Sequence, residues 1–197
     1  MVSRRLLCSS MLVAPFVAAN PFGVRAQSTD VQLMGAQIQR ITDGNSTGLL
    51  LSVNWEFDLS PVLTDYLRRG IALYFSYEFR LLKSRAFWFD KTIATSTLLQ
   101  RLSYSPLSRQ LRLSRDGLVQ SFDTLDQALL LLKNIRGWIV ADNEAIYSHD
   151  NVLAETRMRL DLLRLPKPLQ VTIGGNSDWA LESDWESIPL SRLSDRD

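Results

Sequence analysis

Hydrophobic and polar residues alternate with a period of two in three segments of the chain, 49–57, 71–80 and 152–162. One parity is apolar and the other is largely polar or charged, a pattern typical of β-strands that bury one face and expose the other. We therefore predict antiparallel sheets with a single solvated side. The apolar parity comprises Leu49, Leu51, Val53, Trp55 and Phe57, then Ile71, Leu73, Phe75, Tyr77 and Phe79, and then Val152, Ala154, Thr156, Met158, Leu160 and Leu162.

Two short helices are predicted between these strands. Ser60–Pro61 supplies an N-cap followed by a first-turn proline, and Gly70 closes that segment. Thr124 and Gln127 form a possible capping box for a second helix, which we expect Gly137 to end. The apolar stripe of the second helix comprises Leu125, Ala128, Leu129, Leu132 and Ile135.

Two turns predict a three-stranded meander between the helices. Asp116–Gly117 is a strong two-residue hairpin signal, and the segment 105–108 (SPLS) is a second turn. The register implied by the second turn places Arg101 directly opposite Arg112. Like charges opposite each other on a sheet repel, so this pair needs a compensating anion from the chain, a ligand or a partner.

Together these elements predict the fold class and the domain organisation. We expect one α+β domain over residues 27–197, mainly antiparallel β and sandwich-like, with two short helices. No linker, low-complexity tract or long repeat divides this range, and its length suits a single core.

Residues 1–26 have the pattern of a cleaved secretory signal peptide. Arg4–Arg5 precedes an apolar stretch that is too short to span a bilayer. Small residues allow cleavage after Ala26 or, alternatively, after Ala19, and the arginine pair fits either the general or the twin-arginine export route. We therefore predict a periplasmic protein with no transmembrane segment after cleavage. Cleavage would also remove Cys8, the only cysteine.

Composition narrows the classes of function. Of the 197 residues, 46% are hydrophobic and 22% are charged, and the formal net charge is +1. This near balance argues against a nucleic-acid partner. The single histidine, His149, lies in a polar segment without a nucleophile motif, and one cysteine cannot form a multi-cysteine metal site. We therefore predict no catalytic residue, no metal and no cofactor, and favour a binding protein over an enzyme.

Two aromatic features are candidate contact sites. Residues 178–186 alternate acidic residues with Trp179, Leu181 and Trp185, which in a strand would form a tryptophan stripe backed by an acidic stripe. Such a stripe could stack on sugars, although buried tryptophans behind a solvated acidic face are the simpler interpretation. The cluster Phe87–Trp88–Phe89 would be an apolar contact patch if it lies on a surface loop, and packing otherwise.

Four phrases of the sequence resemble one known family. They are YFSYEFRLLKSRAFWFD (74–90), LQRLSYSPLSRQLRLSRDGLVQSFDTLDQAL (99–129), LRLPKPLQV (163–171) and SDWALESDW (177–185). The combination resembles the exported proteobacterial proteins called domain of unknown function 4390, over about residues 30–190. The resemblance implies a periplasmic β-rich domain with no established activity. Genes of this family often neighbour that of a membrane sensor histidine kinase, so it also implies such a kinase as a partner.

The leading hypothesis is therefore an exported, non-enzymatic binding or interaction module whose partner is another envelope protein. The alternative is a carbohydrate-binding or carbohydrate-active periplasmic protein that uses Trp179, Trp185 and the adjacent acidic strand. The candidate contact residues for both hypotheses are Phe87, Trp88, Phe89, Arg101, Arg112, Trp179 and Trp185.

Overall fold

A computed structural model describes most of the predicted domain. The predicted signal peptide, His149, Phe87 and Trp88 lie outside the described residues. The described residues are 31–43, 46–85, 89–142, 152–173, 177–190 and 194–196.

The described strands form two sheets. A four-stranded sheet has the order β10-β1-β2-β7, and a six-stranded sheet has the order β6-β5-β4-β3-β8-β9. The pairings are antiparallel except for β1 with β10, which is parallel. The strands are β1 (Gln32–Asp43), β2 (Ser46–Glu56), β3 (Leu73–Lys83), β4 (Lys91–Ser105), β5 (Gln110–Arg115), β6 (Leu118–Phe122), β7 (Asn134–Asp142), β8 (Val152–Leu160), β9 (Glu186–Ile188) and β10 (Ser194–Arg196).

The described helices are short. Two 3-10 turns accompany three α-helices in this part of the chain, so the α+β, mainly antiparallel prediction is confirmed with one more helix than expected. The helices are α1 (Pro61–Arg68), α2 (Leu125–Lys133) and α3 (Lys167–Ile173), and the 3-10 turns are Leu162–Arg164 and Ser177–Trp179.

The two sheets share one hydrophobic core, which gives the domain its sandwich-like form. Trp55 on β2 and Tyr77 on β3 are fully buried within the same cluster. Phe57, just after β2, stacks on Phe75 of β3 with ring centroids 6.1 Å apart. Alternate positions of both strands are therefore buried as the sequence predicted, because each strand turns one face to the opposite sheet.

The starts of the first two helices agree with the predicted caps. The Ser60 hydroxyl accepts a hydrogen bond from the Leu63 backbone N–H at 3.1 Å. The Thr124 hydroxyl accepts one from the Gln127 N–H at 3.4 Å. Each cap satisfies a backbone donor that has no partner within its helix.

The predicted end of α2 was wrong. The helix ends at Lys133, and the chain passes directly into β7. Side chains take over the capping of its last turn, because the Tyr77 hydroxyl donates to the Leu132 carbonyl at 2.7 Å. The Asn134 side-chain amide donates to the Leu130 carbonyl at 2.9 Å. These bonds satisfy carbonyl groups that a C-terminal glycine motif would otherwise serve.

Gly137 has a different role from the predicted helix cap. It lies within β7 with φ of 66°, a left-handed conformation that favours glycine. The β2–β7 register shifts between Leu51 and Val53, and Gly137 lies at this bulge. Ile135 completed the apparent helical stripe because it too faces the core, but it does so from a strand.

The hairpin at Asp116–Gly117 is confirmed. Both residues have positive φ, 49° and 82°, which suits the tight turn that matches strand twist. Leu111 pairs with Phe122 as predicted.

The predicted register of the preceding hairpin was wrong by two residues. Residues 106–109 form a four-residue loop, and Arg109 adopts φ of 55° there. Arg101 consequently pairs with Ser114, and Arg112 pairs with Ser103. A shift of two preserves the face on which each side chain lies, so both arginines still point to the same side of the sheet.

Candidate binding surface

The outward side of the six-stranded sheet carries a set of arginines that we call the outer arginine face. Odd-numbered positions of β3 point into the core, so even-numbered positions and their cross-strand partners point outward. The outer arginine face comprises Arg80 on β3, Arg101 on β4, Arg112 on β5, and Arg157 and Arg159 on β8.

Glu78 holds two of these arginines in place. One of its carboxylate oxygens accepts from Arg157 Nε at 2.9 Å and Arg157 Nη2 at 2.7 Å. The other accepts from Arg159 Nε at 2.7 Å. Partial burial pushes the pKa of Glu78 upward, but the hydrogen bonds and positive charges of the two arginines outweigh it and lower the pKa below its ordinary value. Glu78 therefore stays ionised and fixes both guanidinium groups.

Arg80 is fixed in a similar way. Its Nε donates to Glu155 at 2.5 Å. The Trp185 ring covers this region, because the Arg80 guanidinium lies 4.0 Å from the ring centroid and that of Arg157 lies 4.6 Å from it. Trp185 thus makes two cation–π contacts that hold it over the sheet.

Arg101 and Arg112 differ from the other three arginines. Both side chains are exposed, and within the described ranges neither forms an ion pair. The Arg101 guanidinium lies 6.0 Å from the centroid of the Tyr74 ring, at the outer limit of a cation–π contact. The register makes Arg101 and Arg112 diagonal neighbours on adjacent strands. Their two positive charges are available to an anion from outside the domain.

The predicted tryptophan stripe is not a continuous strand. Trp179 lies in a 3-10 turn and is only 3% exposed, packed 4.7 Å from the Tyr66 ring. Trp185 is half-buried, and β9 begins only at Glu186. The two indoles therefore lie in different surroundings, one in the core and one on the outer arginine face. The alternation of acidic and apolar residues over 178–186 arises because separate short elements each bury their own apolar side chains.

A polar hollow of about 540 Å³ lies beside Trp185. It is lined by Arg157 and by the acidic side chains of Glu182, Asp184 and Glu186, together with the start of β1. Within the described ranges, no three histidine, cysteine or acidic residues are placed to share a metal ion. The hollow offers hydrogen-bonding groups of both signs next to one aromatic ring.

Phe89 is the described member of the predicted aromatic patch. Its side chain is 97% exposed. Such an exposed phenylalanine is compatible with a contact site, and the patch as a whole stays a prediction.

The geometry defines a sandwich-like β-domain with an arginine-rich outer face. A family model described as a domain of unknown function (DUF4390) matches residues 31–189, so the chain belongs to this family. The range agrees with the resemblance found in the sequence. No curated protein and no solved structure matches the chain. None of the helices in the described ranges has the length and hydropathy needed to cross a bilayer.

Proposed function

We propose that the protein is an exported, non-enzymatic interaction module of the cell envelope. In this proposal Arg101 and Arg112 bind carboxylates on the surface of a partner protein. The observation that carries it is the contrast on one sheet face, where Arg80, Arg157 and Arg159 are paired with glutamates while Arg101 and Arg112 have no ion-pair partner among the described residues.

The sheet supports such a role because its strands fix the positions of Arg101 and Arg112, although no described carboxylate forms an ion pair with either of them. Arg101 and Arg112 project from paired strands, so their spacing is set by backbone hydrogen bonds. Exposed charges at an interface mainly raise the association rate and set partner choice, and each exposed ion pair contributes about 0.2–1 kcal/mol. A partner with a matching acidic patch would therefore be selected by charge as well as by shape.

The proposed partner is an envelope protein, and the sensing part of a membrane sensor histidine kinase is the candidate that the family resemblance suggests. This assignment requires export of the chain through its predicted signal peptide, residues 1–26. Sequencing the N-terminus of the protein from a periplasmic extract tests that step. We expect a mature chain that begins after Ala26 or Ala19.

Crosslinking in intact cells tests the interaction. The wild-type chain is compared with the double variant Arg101→Glu/Arg112→Glu and with Arg68→Glu/Arg109→Glu, which reverses two exposed arginines outside the outer arginine face. We expect one defined adduct that the double variant loses and the control keeps. An adduct that survives the double reversal, or that both variants lose equally, would overturn the proposal.

Trp185 favours a second candidate function, carbohydrate binding. Its half-buried ring borders the polar hollow described above. An aromatic ring beside a few polar groups is a lining that many ligand sites share. Buried Trp179 would have to leave the core to stack on a sugar, which ranks this function second. The ranking of the two functions would be reversed if the protein bound a glycan array, if Trp185→Ala abolished that binding, and if crosslinking gave no protein adduct.

A further inference from the structure

β6 forms an open edge of the six-stranded sheet. No other strand pairs with its free side in the part of the chain that the structure describes. Arg115 and Leu118 flank a two-residue turn, so they form a hydrogen-bonded pair, and such pairs alternate along the hairpin. The backbone N–H and C=O groups of Val119 and Ser121 therefore point away from β5. These groups are a template for one more strand.

The side chains of β6 do not protect this edge. Leu118 is 72% exposed and Val119 is 60% exposed. The strand LVQSF contains neither the charged residues nor the proline that commonly block edge pairing. An exposed apolar edge of this kind is a template for pairing with another chain segment.

A cleft of about 270 Å³ lies on the inner side of β6. Residues that face inward on an added strand would lie on the same side of the sheet as this cleft. The Oε1 atom of Gln100 is buried there without a hydrogen-bond partner. The lining includes Gln100, Leu113, Arg115, Leu118, Leu131 and Arg136.

The charges around β6 indicate what kind of segment would bind. Arg112 pairs with Ser121 of β6, and this small neighbour leaves its guanidinium room to reach an added strand. Arg115 and Arg136 border the cleft, and none of these three arginines forms an ion pair with a described residue. A second copy of the chain would bring the same positive charges to the edge. The exposed side chains of Asp116 and Asp123 lie beyond the two ends of β6, so the positive charges border its middle. Charge complementarity with the middle of the strand therefore favours an acidic segment.

We propose that β6 accepts an extended acidic segment of the partner as an added strand. Acidic residues of the segment face outward toward Arg112, and apolar residues face inward toward Leu118 and the cleft. Arg115 and Arg136, at the border of the cleft, add to the positive charge that attracts the segment. Main-chain hydrogen bonds to Val119 and Ser121 supply affinity, and the alternating side chains supply specificity. The inference rests on the proposed function, since it shares Arg112 with the interaction surface.

The probe for this site is a fluorescein-labelled peptide of alternating glutamate and valine, about seven residues long to match a typical strand. Its control is the same peptide with lysine in place of every glutamate. We expect saturable binding of the acidic peptide, measured by fluorescence anisotropy, and none of the basic one. Absence of saturable acidic-peptide binding, or equal binding of both peptides, would overturn the inference.

Val119→Pro isolates the edge. Proline removes the Val119 N–H, which points away from β5. The β5–β6 hydrogen bonds stay intact because that N–H takes no part in them. We expect Val119→Pro to weaken acidic-peptide binding about tenfold or more, while Val119→Ala stays within about threefold. Equal affinities of the two variants would contradict strand addition. Self-association of the free protein that Val119→Pro abolishes would instead assign the edge to a second copy.

Amide exchange gives a direct readout of the added strand. We expect the Val119 and Ser121 amides to exchange more slowly when the acidic peptide is bound. Unchanged exchange rates at these amides would contradict strand addition.

The cellular crosslink separates the two proposals. If Val119→Pro keeps an adduct that Arg101→Glu/Arg112→Glu loses, the edge inference fails and the proposed function stands. If Val119→Pro alone loses it, strand addition at β6 stands, but recognition through Arg101 and Arg112 fails, including the contact of Arg112 with the acidic residues of the added strand.

Discussion

Replacing Glu78 with glutamine tests how the outer arginine face is organised. The change keeps the shape of the side chain but removes its charge, and it turns an amide NH₂ toward a guanidinium. Hydrogen bonds to a charged group contribute about 1.5–3 kcal/mol each, and the partial exposure of Arg157 (32%) and Arg159 (38%) reduces that contribution. We expect Glu78→Gln to lower the free energy of unfolding by about 2 kcal/mol at neutral pH.

The effect of this substitution depends on pH in a defined direction. The pKa of Glu78 is lower in the folded protein than its ordinary value of 4.5. A carboxylate with a depressed folded pKa contributes stability that is fully present above its unfolded pKa and is lost as pH falls through the folded value. The stability difference between wild type and Glu78→Gln should therefore be constant from about pH 6 to 8 and shrink below 4.5.

Urea unfolding followed by tryptophan fluorescence measures both effects. Glu182→Gln is the matched control, because Glu182 is exposed near the same arginines and forms no ion pair with a described residue. The control should change stability by less than about 0.5 kcal/mol. Equal effects of the two substitutions, or a Glu78→Gln effect that grows as the pH falls below 4.5, would refute the argument.

Two further predictions concern the elements beneath this face. Tyr77→Phe should lower the free energy of unfolding in urea by about 1–2 kcal/mol, because the buried Leu132 carbonyl loses its hydrogen-bond donor. Tyr104→Phe should lower it by less than about 0.5 kcal/mol, because the Tyr104 hydroxyl has no hydrogen bond to a described residue. Equal effects of the two substitutions would refute the capping role of Tyr77. Gly137→Ala should cost about 1–2 kcal/mol through its positive φ alone, since a Cβ there meets no atom within 4 Å. Gly35→Ala, equally open but without a positive φ, should not share that cost, and thermal unfolding of the pair checks the difference.

Local features of the fold were predictable because they depend on neighbours in sequence. Alternation placed Trp55 and Tyr77 in the core, and the hydroxyls of Ser60 and Thr124 capped the predicted helix starts. The turn at Asp116–Gly117 was equally local, since few other dipeptides adopt positive φ at both positions. Each of these signals acts within one turn or one strand.

The features that failed depend on contacts between distant parts of the chain. The C-terminus of α2 is capped from β3 by Tyr77, and no pattern around Lys133 reveals that bond. The four-residue loop after Ser105 shifted the register of the two arginines, since the SPLS turn can close with either two or four residues. Arg101 and Arg112 were nevertheless placed on one face correctly, because parity survives a shift of two.

The pairing of Glu78 with Arg157 and Arg159 could not be predicted from the sequence either. Glu78 lies on the polar parity of its strand, and Arg157 and Arg159 lie on the polar parity of another, so all three were expected at a surface. Only the strand order, in which β3 lies between β4 and β8, brings them within hydrogen-bond distance. That order is set by packing of the whole core, which alternation does not specify.

The most direct test of recognition through the outer arginine face is a photo-crosslinking amino acid placed at Ser114 in living cells. Ser114 pairs with Arg101 on the outer arginine face, whereas Gln37 lies on β1 of the other sheet and serves as the control position. We expect a defined protein adduct from position 114 that is absent from position 37 and is lost when Arg112 is reversed to glutamate. No adduct from position 114, or the same adduct from both positions, would contradict recognition through this face.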